Sequence, residues 1–507
     1  MSHDVTPPGG APAPLTEEPP RLTDPRAPFL LPLALLLLTR GHFWRLLPFA
    51  SEDAYITFRY ARNLTRGLGL VFNPGEQVMG YTSPLWTVWS ALGIALVKDP
   101  VLWTRATTLT LEALALVLVT RMLLKAFGSA AAWTFALFYA SWTFLAARAV
   151  SGMENSAFFA RLALSAWLVE RRSGWSGVAL GLLALMRPEG VVCAAIVALG
   201  ARWKDRAVAL VLAGLGMGAL AALYGSPIPQ SLVAKAQVSG TPGPWSGRHW
   251  WEWIVPFGFS RWPVMTGGSV LFAMAVVAGP ARAAGAVTLA RARREAPGLA
   301  LLAGAGLSVW LGHSGFGVAY FAWYLGLPLA TASVLVAIGL GRVTRGPWIP
   351  AGLALFVLGS WTIAPEPYRV RTGTEYMSFA EAAQALGQVS HPGESVLLEP
   401  IGMVGWATKL RIIDEIGLVS PWVAQRRRQG DGWMTDVVAH EHPDWLLTRR
   451  AIFAGDSGGE AFAGRGRPFR NAEERAAVLA NYTLIGTVHP EAGAQAIEIR
   501  RASPPPR

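Results

Sequence analysis

The sequence predicts an all-α polytopic membrane domain with about eleven transmembrane helices, followed by a smaller α/β domain outside the membrane. Of the 507 residues, 52% are hydrophobic and only 15% are charged, whereas a soluble domain carries roughly 25% charged residues. Apolar stretches of bilayer-spanning length recur from Phe29 to about Ala364. The 22 tryptophans fit the same class, because indole rings favour the membrane–water interface.

The chain divides into three parts. Residues 1–28 are rich in Pro, Ala and Thr and are expected to form a disordered cytoplasmic tail. Residues 29–364 form the predicted membrane domain, with an outer loop at 50–100, and residues 365–507 form the predicted α/β domain. The predicted spans are 29–48, 101–120, 129–147, 156–170, 175–186, 190–201, 207–224, 269–288, 297–312, 322–340 and 347–363.

Lysines and arginines collect in short loops between these apolar stretches. The clusters are Arg121/Lys125, Arg171/Arg172, Arg202/Lys204/Arg206, Arg291/Arg293/Arg294 and Arg342/Arg345. This distribution is typical of the cytoplasmic loops of a membrane protein and not of a nucleic-acid-binding surface, so no nucleic-acid partner is expected. With an odd number of spans, the N-terminus would be cytoplasmic and the α/β domain extracytoplasmic, at the inner (cytoplasmic) membrane of a cell.

An Arg-Pro-Glu-Gly sequence, Arg187–Gly190, interrupts the apolar stretch between Arg172 and Arg202. A single helix would bury two charges near the middle of the bilayer and would place basic clusters on both sides. Two short helices joined by a turn at Pro188 keep both basic clusters on one side. The hairpin is therefore favoured, and its tip is expected to face a cavity, because isolated charges in hydrocarbon are costly.

Two further segments differ from the spans. The Trp-rich segment 245–262 is either an interfacial aromatic belt or a lid that contacts sugar or lipid. In the C-terminal part, helical patterns alternate with short strand patterns, which predicts a small α/β domain. The predicted helices are 376–389, 433–440 and 472–480, and the predicted strands are 395–399, 411–413, 445–448, 482–488 and 496–499.

The residues after the first span are rich in side chains that could carry chemistry. Glu52 and Asp53 begin a predicted helix, where carboxylates favour the positive end of the helix dipole. On this helix Glu52, Tyr55 and Arg59 share one side, and Asp53 lies on another. An acidic pair at the outer end of the first membrane helix indicates a functional site. The structural alternative is helix capping together with a salt bridge to Arg59.

This segment resembles the first outer loop of GT-C glycosyltransferases, especially the subfamily of the mycobacterial terminal arabinofuranosyltransferase. The matching residues are Asp53–Ile56, Phe58–Tyr60, Asn63–Leu64, Gly67–Gly69, Asn73–Glu76, Gly80–Thr82 and Leu85–Trp86. Further matches are Ser151–Glu154, Arg187–Gly190, Gly225–Gln230 with Lys235, Glu399–Gly405 and Ile413–Val419. The chain departs from the family pattern at Glu52, where Asp is expected, at Met79, where Glu is usual, and at Asn155, where Thr is usual.

The resemblance, which covers most of the chain, implies a GT-C-like fold and a glycosyltransferase with a polyprenyl-phosphate sugar donor. The acceptor would be a cell-envelope glycan or lipid, and the sugar would be arabinofuranose or another pentose or hexose. Because a polyprenyl phosphate leaves as a weakly basic anion, one carboxylate is enough to deprotonate the acceptor hydroxyl, and the transfer would be of the inverting type. Asp53 is the predicted catalytic base.

The other candidate residues would bind substrate. Arg187 and Lys235 are candidates for the donor phosphate, and Glu154, near Asp53 in the family fold, would orient the acceptor or hold donor hydroxyls. The predicted substrate-binding residues are Glu52, Tyr55, Arg59, Tyr81, Glu154, Arg187, Glu189, Lys235 and His313. The structural alternatives are an ion pair between Arg187 and Glu189, a solvated Lys235, a helix cap at Glu154 and a structural His313.

No cofactor is certain from the sequence. His440 and His442 lack the spacing that places two metal ligands on one helix face, so no metal-binding residues are predicted, while a divalent cation is left open. The rival function is a transporter or flippase of a lipid-linked glycan. Such a protein would be expected to have pseudo-symmetric halves, and the sequence has no internal repeat that would indicate them.

Overall fold

A computed structural model describes residues 27–238, 268–316, 321–343, 352, 354, 365–454 and 466–503. All but the last two residues of the predicted N-terminal tail, the Trp-rich segment 245–262 and nearly all of the predicted span 347–363 lie outside the described residues.

The described part of the membrane domain is built of helices. They are α1 (Ala27–Leu46), α2 (Glu52–Thr65), α3 (Pro84–Val97), α4 (Pro100–Ser141), α5 (Thr143–Ala149), α6 (Asn155–Glu170), α7 (Ser176–Ala184), α8 (Pro188–Ala198), α9 (Trp203–Tyr224), α10 (Gln230–Val238), α11 (Gly268–Arg291), α12 (Pro297–Gly315) and α13 (Gly326–Val343), with a 3₁₀ turn at Ala322–Leu325. Four described helical segments are long and apolar enough to cross a membrane, so the predicted number of eleven spans is not confirmed. The four are Phe29–Leu46, Pro100–Ser141, Trp203–Tyr224 and Trp323–Arg342.

Helix α4 folds back on itself at Gly128, which has a positive φ of 81° that favours glycine. The Tyr139 hydroxyl of the second arm lies 3.4 Å from the Glu112 carboxylate of the first arm, so the arms lie side by side. Arg40 of α1 is fully buried and donates to Glu112 at 2.6 Å. The two arms correspond to the predicted spans 101–120 and 129–147.

Helices α7 and α8 form the predicted hairpin. Arg187 is in an extended conformation, and Pro188 occupies the first turn of α8, where its missing N–H is tolerated. A Cβ atom at Gly190 would lie 2.2 Å from the Leu183 carbonyl oxygen, so only glycine permits this close packing. At the open end of the hairpin, Arg202 donates to the Ser173 carbonyl at 3.2 Å.

Side-chain contacts gather several basic loops at one end of the helix bundle. The contacts are Lys125–Glu170 at 2.9 Å, Arg202–Ser173 at 3.2 Å and Arg342–Thr288 at 2.9 Å. The hairpin tip at Arg187 points to the opposite end, as expected when two short helices keep both of their flanking basic clusters together.

The C-terminal domain contains a five-stranded mixed sheet of order β2-β1-β3-β5-β4. The strands, which agree with the predicted ones within a few residues, are β1 (Ser395–Leu398), β2 (Arg411–Asp414), β3 (Trp445–Arg449), β4 (Tyr482–Val488) and β5 (Ile497–Ala502). The helices are α14 (Pro365–Val389), α15 (Gly402–Ala407), α16 (Pro421–Arg428), α17 (Trp433–Glu441), α18 (Arg450–Ala454) and α19 (Ala472–Ala480), with a 3₁₀ helix at Pro490–Gln495. Strand β1 pairs in parallel with both β2 and β3, and all four of its residues are buried, as is typical of a central parallel strand.

The C-terminal domain docks on the outer loop through helix α2. Arg59 is only 3% exposed and donates to the carbonyls of Phe72, Gly405 and Leu410, each at 2.8 Å. Glu52 accepts a hydrogen bond from the Met403 amide at 2.8 Å. These bonds join the start and the middle of α2 to the C-terminal domain.

A second part of the outer loop continues this interface. The Asn73 side chain pairs with both backbone groups of Ile412, at 2.8 and 3.0 Å. Glu76 accepts from Arg411 at 2.6 Å. The Asn-x-Gly-Glu sequence of the outer loop therefore holds strand β2 of the C-terminal domain in place.

Candidate active site

A cavity of about 210 Å³ lies where several helices, at their ends away from the basic loops, meet the C-terminal domain. Its polar walls come from α2, the loop before α6, the hairpin tip, α10 and the end of α12. The lining residues are Asp53, Ile56, Thr57, Gly80, Tyr81, Thr82, Ser83, Met153, Glu154, Arg187, Pro188, Glu189, Ser231, Leu232, Lys235, His313, Trp323, Tyr324 and Leu418. Seven of the predicted site residues are among them, namely Asp53, Tyr81, Glu154, Arg187, Glu189, Lys235 and His313.

The loop before α6 brings Glu154 to the start of α2. The Ser51 amide donates to the Ser151 carbonyl at 2.7 Å, which ties the two loops together. Gly152 has a φ of +80°, and a Cβ atom there would lie 3.0 Å from the Ala50 Cβ. Glycine therefore allows this loop to pack against the start of α2, where a Cβ atom would also lie 3.3 Å from the Cβ of Ala54, the residue after Asp53.

Asp53 faces Lys235 across the cavity. Its carboxylate lies 3.8 Å from the Lys235 ammonium, and its side chain is 27% exposed. Burial raises the pKa of the Asp53 carboxyl above its usual value, Lys235 opposes this shift and Glu154 adds to it. A carboxylate with a raised pKa is a stronger base, and Asp53 is suited to accept a proton.

Arg187 is held between two carboxylates. It donates to Glu154, which precedes α6, and to both carboxylate oxygens of Glu189, each at 3.2 Å. Its side chain is 7% exposed. The ion pair between Arg187 and Glu189 that the sequence left as an alternative is thus present, and it is extended to Glu154.

His313 continues this chain of polar contacts. Its Nε2 atom lies 3.1 Å from the Glu189 carboxylate, and its ring lies 5.0 Å from the ring of Tyr324. These contacts therefore connect the start of α6, the hairpin tip and the end of α12, and they present Glu154 and Glu189 to the cavity in fixed positions.

Helix α10 places Lys235 in the cavity. The Gln230 amide donates to the Met79 carbonyl at 2.8 Å, and its side chain donates to the Gly417 carbonyl at 3.1 Å. Ser231 lies one helical turn before Lys235, on the same face of the helix. The Ser231 hydroxyl oxygen is buried and has no hydrogen-bond partner among the described residues, so it is available to a ligand in the cavity.

Three predicted substrate-binding residues do not line the cavity. Arg59 binds backbone carbonyls of the outer loop and the C-terminal domain, and Glu52 binds the Met403 amide. The Tyr55 hydroxyl accepts from the Ala50 amide at 3.4 Å, and its ring packs against Trp406. The partners of the Arg59 guanidinium are backbone carbonyls and the Asn73 side chain. The salt bridge to the acidic pair, which was the structural alternative, is therefore not formed among the described residues. All three side chains lie on the side of α2 that faces away from the cavity.

Other lining residues were not predicted as site residues. Trp323 and Tyr324 follow His313 closely in the sequence, and Ser231 shares a helix face with Lys235. The sequence position of these three residues could therefore have indicated that they lie at the site. Leu418 comes from the loop after β2 of the C-terminal domain; it belongs to the Ile413–Val419 match to the family, but that match indicated the C-terminal domain and not the cavity.

Comparison with solved structures identifies the fold. The structure of ArnT from Cupriavidus metallidurans, bound to undecaprenyl phosphate, is similar with a TM-score of 0.59 at 11% identity, over 95% of this chain and 100% of that chain. The oligosaccharyltransferase of Archaeoglobus fulgidus, tethered to an acceptor peptide, is similar with a TM-score of 0.54 at 11% identity, over 90% of this chain and 72% of that chain. The protein has the GT-C fold.

Comparisons of sequence add one family. Residues 367–501 match a domain of unknown function, DUF8728, which corresponds to the C-terminal domain. No curated protein matches the sequence. The predicted GT-C fold is therefore confirmed by the structural neighbours, and the arabinofuranosyltransferase subfamily stays a prediction.

Proposed function

We propose that the protein is a membrane glycosyltransferase that transfers a sugar from a polyprenyl-phosphate donor to a cell-envelope glycan or lipid, with Asp53 as the general base. The observation that carries the proposal is the Asp53 carboxylate, which lies in a cavity 3.8 Å from the Lys235 ammonium. The undecaprenyl phosphate bound to the similar ArnT structure supports a lipid-phosphate donor.

The reaction uses one proton transfer and one displacement. Asp53 takes the proton of the acceptor hydroxyl, and the hydroxyl oxygen forms a bond to the anomeric carbon of the donor sugar. The bond from that carbon to the phosphate oxygen breaks, and the polyprenyl phosphate leaves with the electron pair. The leaving group is a weakly basic anion, so it needs a nearby cation and no proton donor.

Lys235 is the better candidate for that cation. The guanidinium nitrogens of Arg187 are already paired with Glu154 and Glu189. The Lys235 ammonium is 3.8 Å from the Asp53 carboxylate, beyond normal hydrogen-bond distance. It also hydrogen-bonds to Tyr324, but an ammonium has three donors, and the others can turn towards a phosphate. We therefore assign the phosphate to Lys235 and treat Arg187 as a positioning residue for the two glutamates.

The orientation in the membrane is part of the proposal. Basic loops gather at one end of the bundle, and such clusters favour the cytoplasmic side. The cavity and residues 365–507 would then face the outside of the inner membrane, where a lipid-linked sugar meets an envelope acceptor. Alkaline phosphatase fused after residue 507 should be active in cells, and an inactive fusion with normal expression would reverse this orientation.

The decisive variant is Asp53→Asn, which keeps the size of the side chain but cannot accept a proton at neutral pH. Sugar transfer from synthetic polyprenyl-phosphate donors should fall about 100-fold or more, the scale of a positioned general base. Donor affinity should change little, because the lost interaction belongs to the acceptor and the transition state. Glu52→Gln is the matched control, since Glu52 is the adjacent acid but lies outside the cavity, and its effect should be much smaller.

Two results would contradict this assignment. Near-normal transfer by Asp53→Asn would exclude Asp53 as the base. An equal loss in the Glu52 and Asp53 variants would mean that the acidic pair acts through the structure of α2, and the base would have to be sought elsewhere in the cavity.

A further inference from the structure

A stacked pair of aromatic rings borders the cavity beside Lys235. The rings of Phe321 and Trp323 lie 4.4 Å apart and are nearly parallel, at 10°. Trp323 lines the cavity, whereas Phe321 is not among the lining residues and therefore backs the indole from behind. An indole supported in this way has a fixed orientation.

The Lys235 ammonium lies beside this pair. It is 5.6 Å from the centre of the Phe321 ring and 5.9 Å from the centre of the Trp323 ring, so it is almost equally distant from both. A cation on the outer face of Trp323 would be much further from Phe321 than from Trp323. The part of the indole that faces the cavity is therefore left to a ligand.

The chemical groups around the indole form a consistent pattern. Lys235 and the unpartnered Ser231 hydroxyl lie one turn apart on α10 and suit a phosphate. Glu154 and Glu189 also line the cavity, and carboxylates accept hydrogen bonds from sugar hydroxyls. Ligand sites commonly combine an aromatic wall with a few converging polar groups.

We propose that Trp323 is the platform for the sugar ring of the donor, with the phosphate at Lys235 and Ser231 and the sugar hydroxyls directed to the glutamates. This inference rests on the proposed function and adds the position of the donor within the cavity. One face of a sugar ring carries C–H groups with a small positive charge, which the negative face of an indole attracts. A free phosphate would gain nothing from that face.

The test compares two ligands on the full-length protein in detergent. The ligands are sugar-free polyprenyl phosphate and the same lipid carrying the pentose or hexose that the wild type transfers, and calorimetry measures their affinities. Trp323→Leu should weaken binding of the sugar-bearing lipid about tenfold or more and leave the sugar-free lipid within about twofold. Trp323→Phe should retain most of the affinity. Lys235→Gln and Ser231→Ala should weaken both ligands.

Trp89→Leu is the matched control, because Trp89 packs against Trp103 outside the cavity and should alter neither affinity. If Trp323→Leu weakens both lipids equally, or neither, the sugar platform is refuted while the proposed function stands. If the wild type binds no polyprenyl phosphate, the proposed function fails, and this inference fails with it.

Discussion

Arg59 tests whether the outer-loop motif holds the two domains together or binds substrate. Its guanidinium donates to two carbonyls of the C-terminal domain, those of Gly405 and Leu410, and to Phe72 of the outer loop. Hydrogen bonds from a charged donor contribute roughly 1.5–3 kcal/mol each. Arg59→Met removes the two bonds that this side chain makes to the C-terminal domain and leaves buried carbonyls without a donor. The docked state should lose about 3–6 kcal/mol, which is comparable to the total stability of many domains.

Limited proteolysis and thermal unfolding of the purified protein measure this loss. Arg59→Met should make residues 365–507 susceptible to protease and should lower the melting temperature. Arg66→Met is the control, because Arg66 is an exposed cation near the end of the same helix and its loss should change stability by no more than about 0.5 kcal/mol. A protease-resistant, fully stable Arg59→Met protein with weakened substrate binding would refute the docking role and restore the role predicted from the sequence.

Three other predictions concern ionisable residues. Arg187→Met should destabilise the protein by roughly 3–5 kcal/mol, because it leaves the buried Glu154 carboxylate without its ion-pair partner and leaves Glu189 with His313 alone. Lys235→Gln should remain folded in gel filtration and should use the donor about tenfold to 100-fold less well. A destabilised Lys235→Gln protein, together with a folded Arg187→Met protein that uses the donor poorly, would assign the phosphate to Arg187 and the structural role to Lys235. Burial raises the pKa of Glu415 from 4.5 to about 8. The folded state therefore keeps a proton that the unfolded state releases, so stability is lost as the pH rises from about 4.5 through 8. Glu415→Gln should reduce this loss by up to about 1.4 kcal/mol per pH unit in thermal melts, and an unchanged slope would contradict the raised pKa.

Much of the fold follows from local sequence. The Arg-Pro-Glu-Gly tip at Arg187 predicted a hairpin, because a continuous helix would have buried two charges near the middle of the bilayer. Short strand-like sequence patterns predicted the strands of the C-terminal domain. Contacts between residues that are distant in the sequence could not be predicted from local sequence. Arg40 and Glu112 form a buried ion pair inside the bundle, but each lies in an apolar stretch whose sequence gives no sign of the other.

The site, too, was predicted only in part, because it depends on contacts between residues that are distant in the sequence. Residue types and the family resemblance selected Asp53, Glu154 and Lys235, all of which line the cavity. Helix periodicity placed Asp53 and its neighbour Glu52 on different sides of α2, because successive residues on a helix point about 100° apart, but only tertiary packing decides which side faces the cavity. Arg59 was predicted to bind substrate, whereas the structure places its guanidinium against backbone carbonyls of the C-terminal domain, a contact that local sequence does not indicate.

Helix α2 contributes both to the cavity and to the interface with the C-terminal domain, and this limits how the protein can be divided. One side carries Asp53 into the cavity, and the other side is fixed to the C-terminal domain by Glu52 and Arg59. At Gly402 the approach is so close that a Cβ atom would lie 2.1 Å from the Glu52 carbonyl oxygen. A truncated chain that ends before residue 365, or a chimera with a foreign C-terminal domain, would change the support of helix α2. The smallest unit that keeps Asp53 in position therefore includes both domains, and any exchange between relatives has to move the outer loop together with its docking surface.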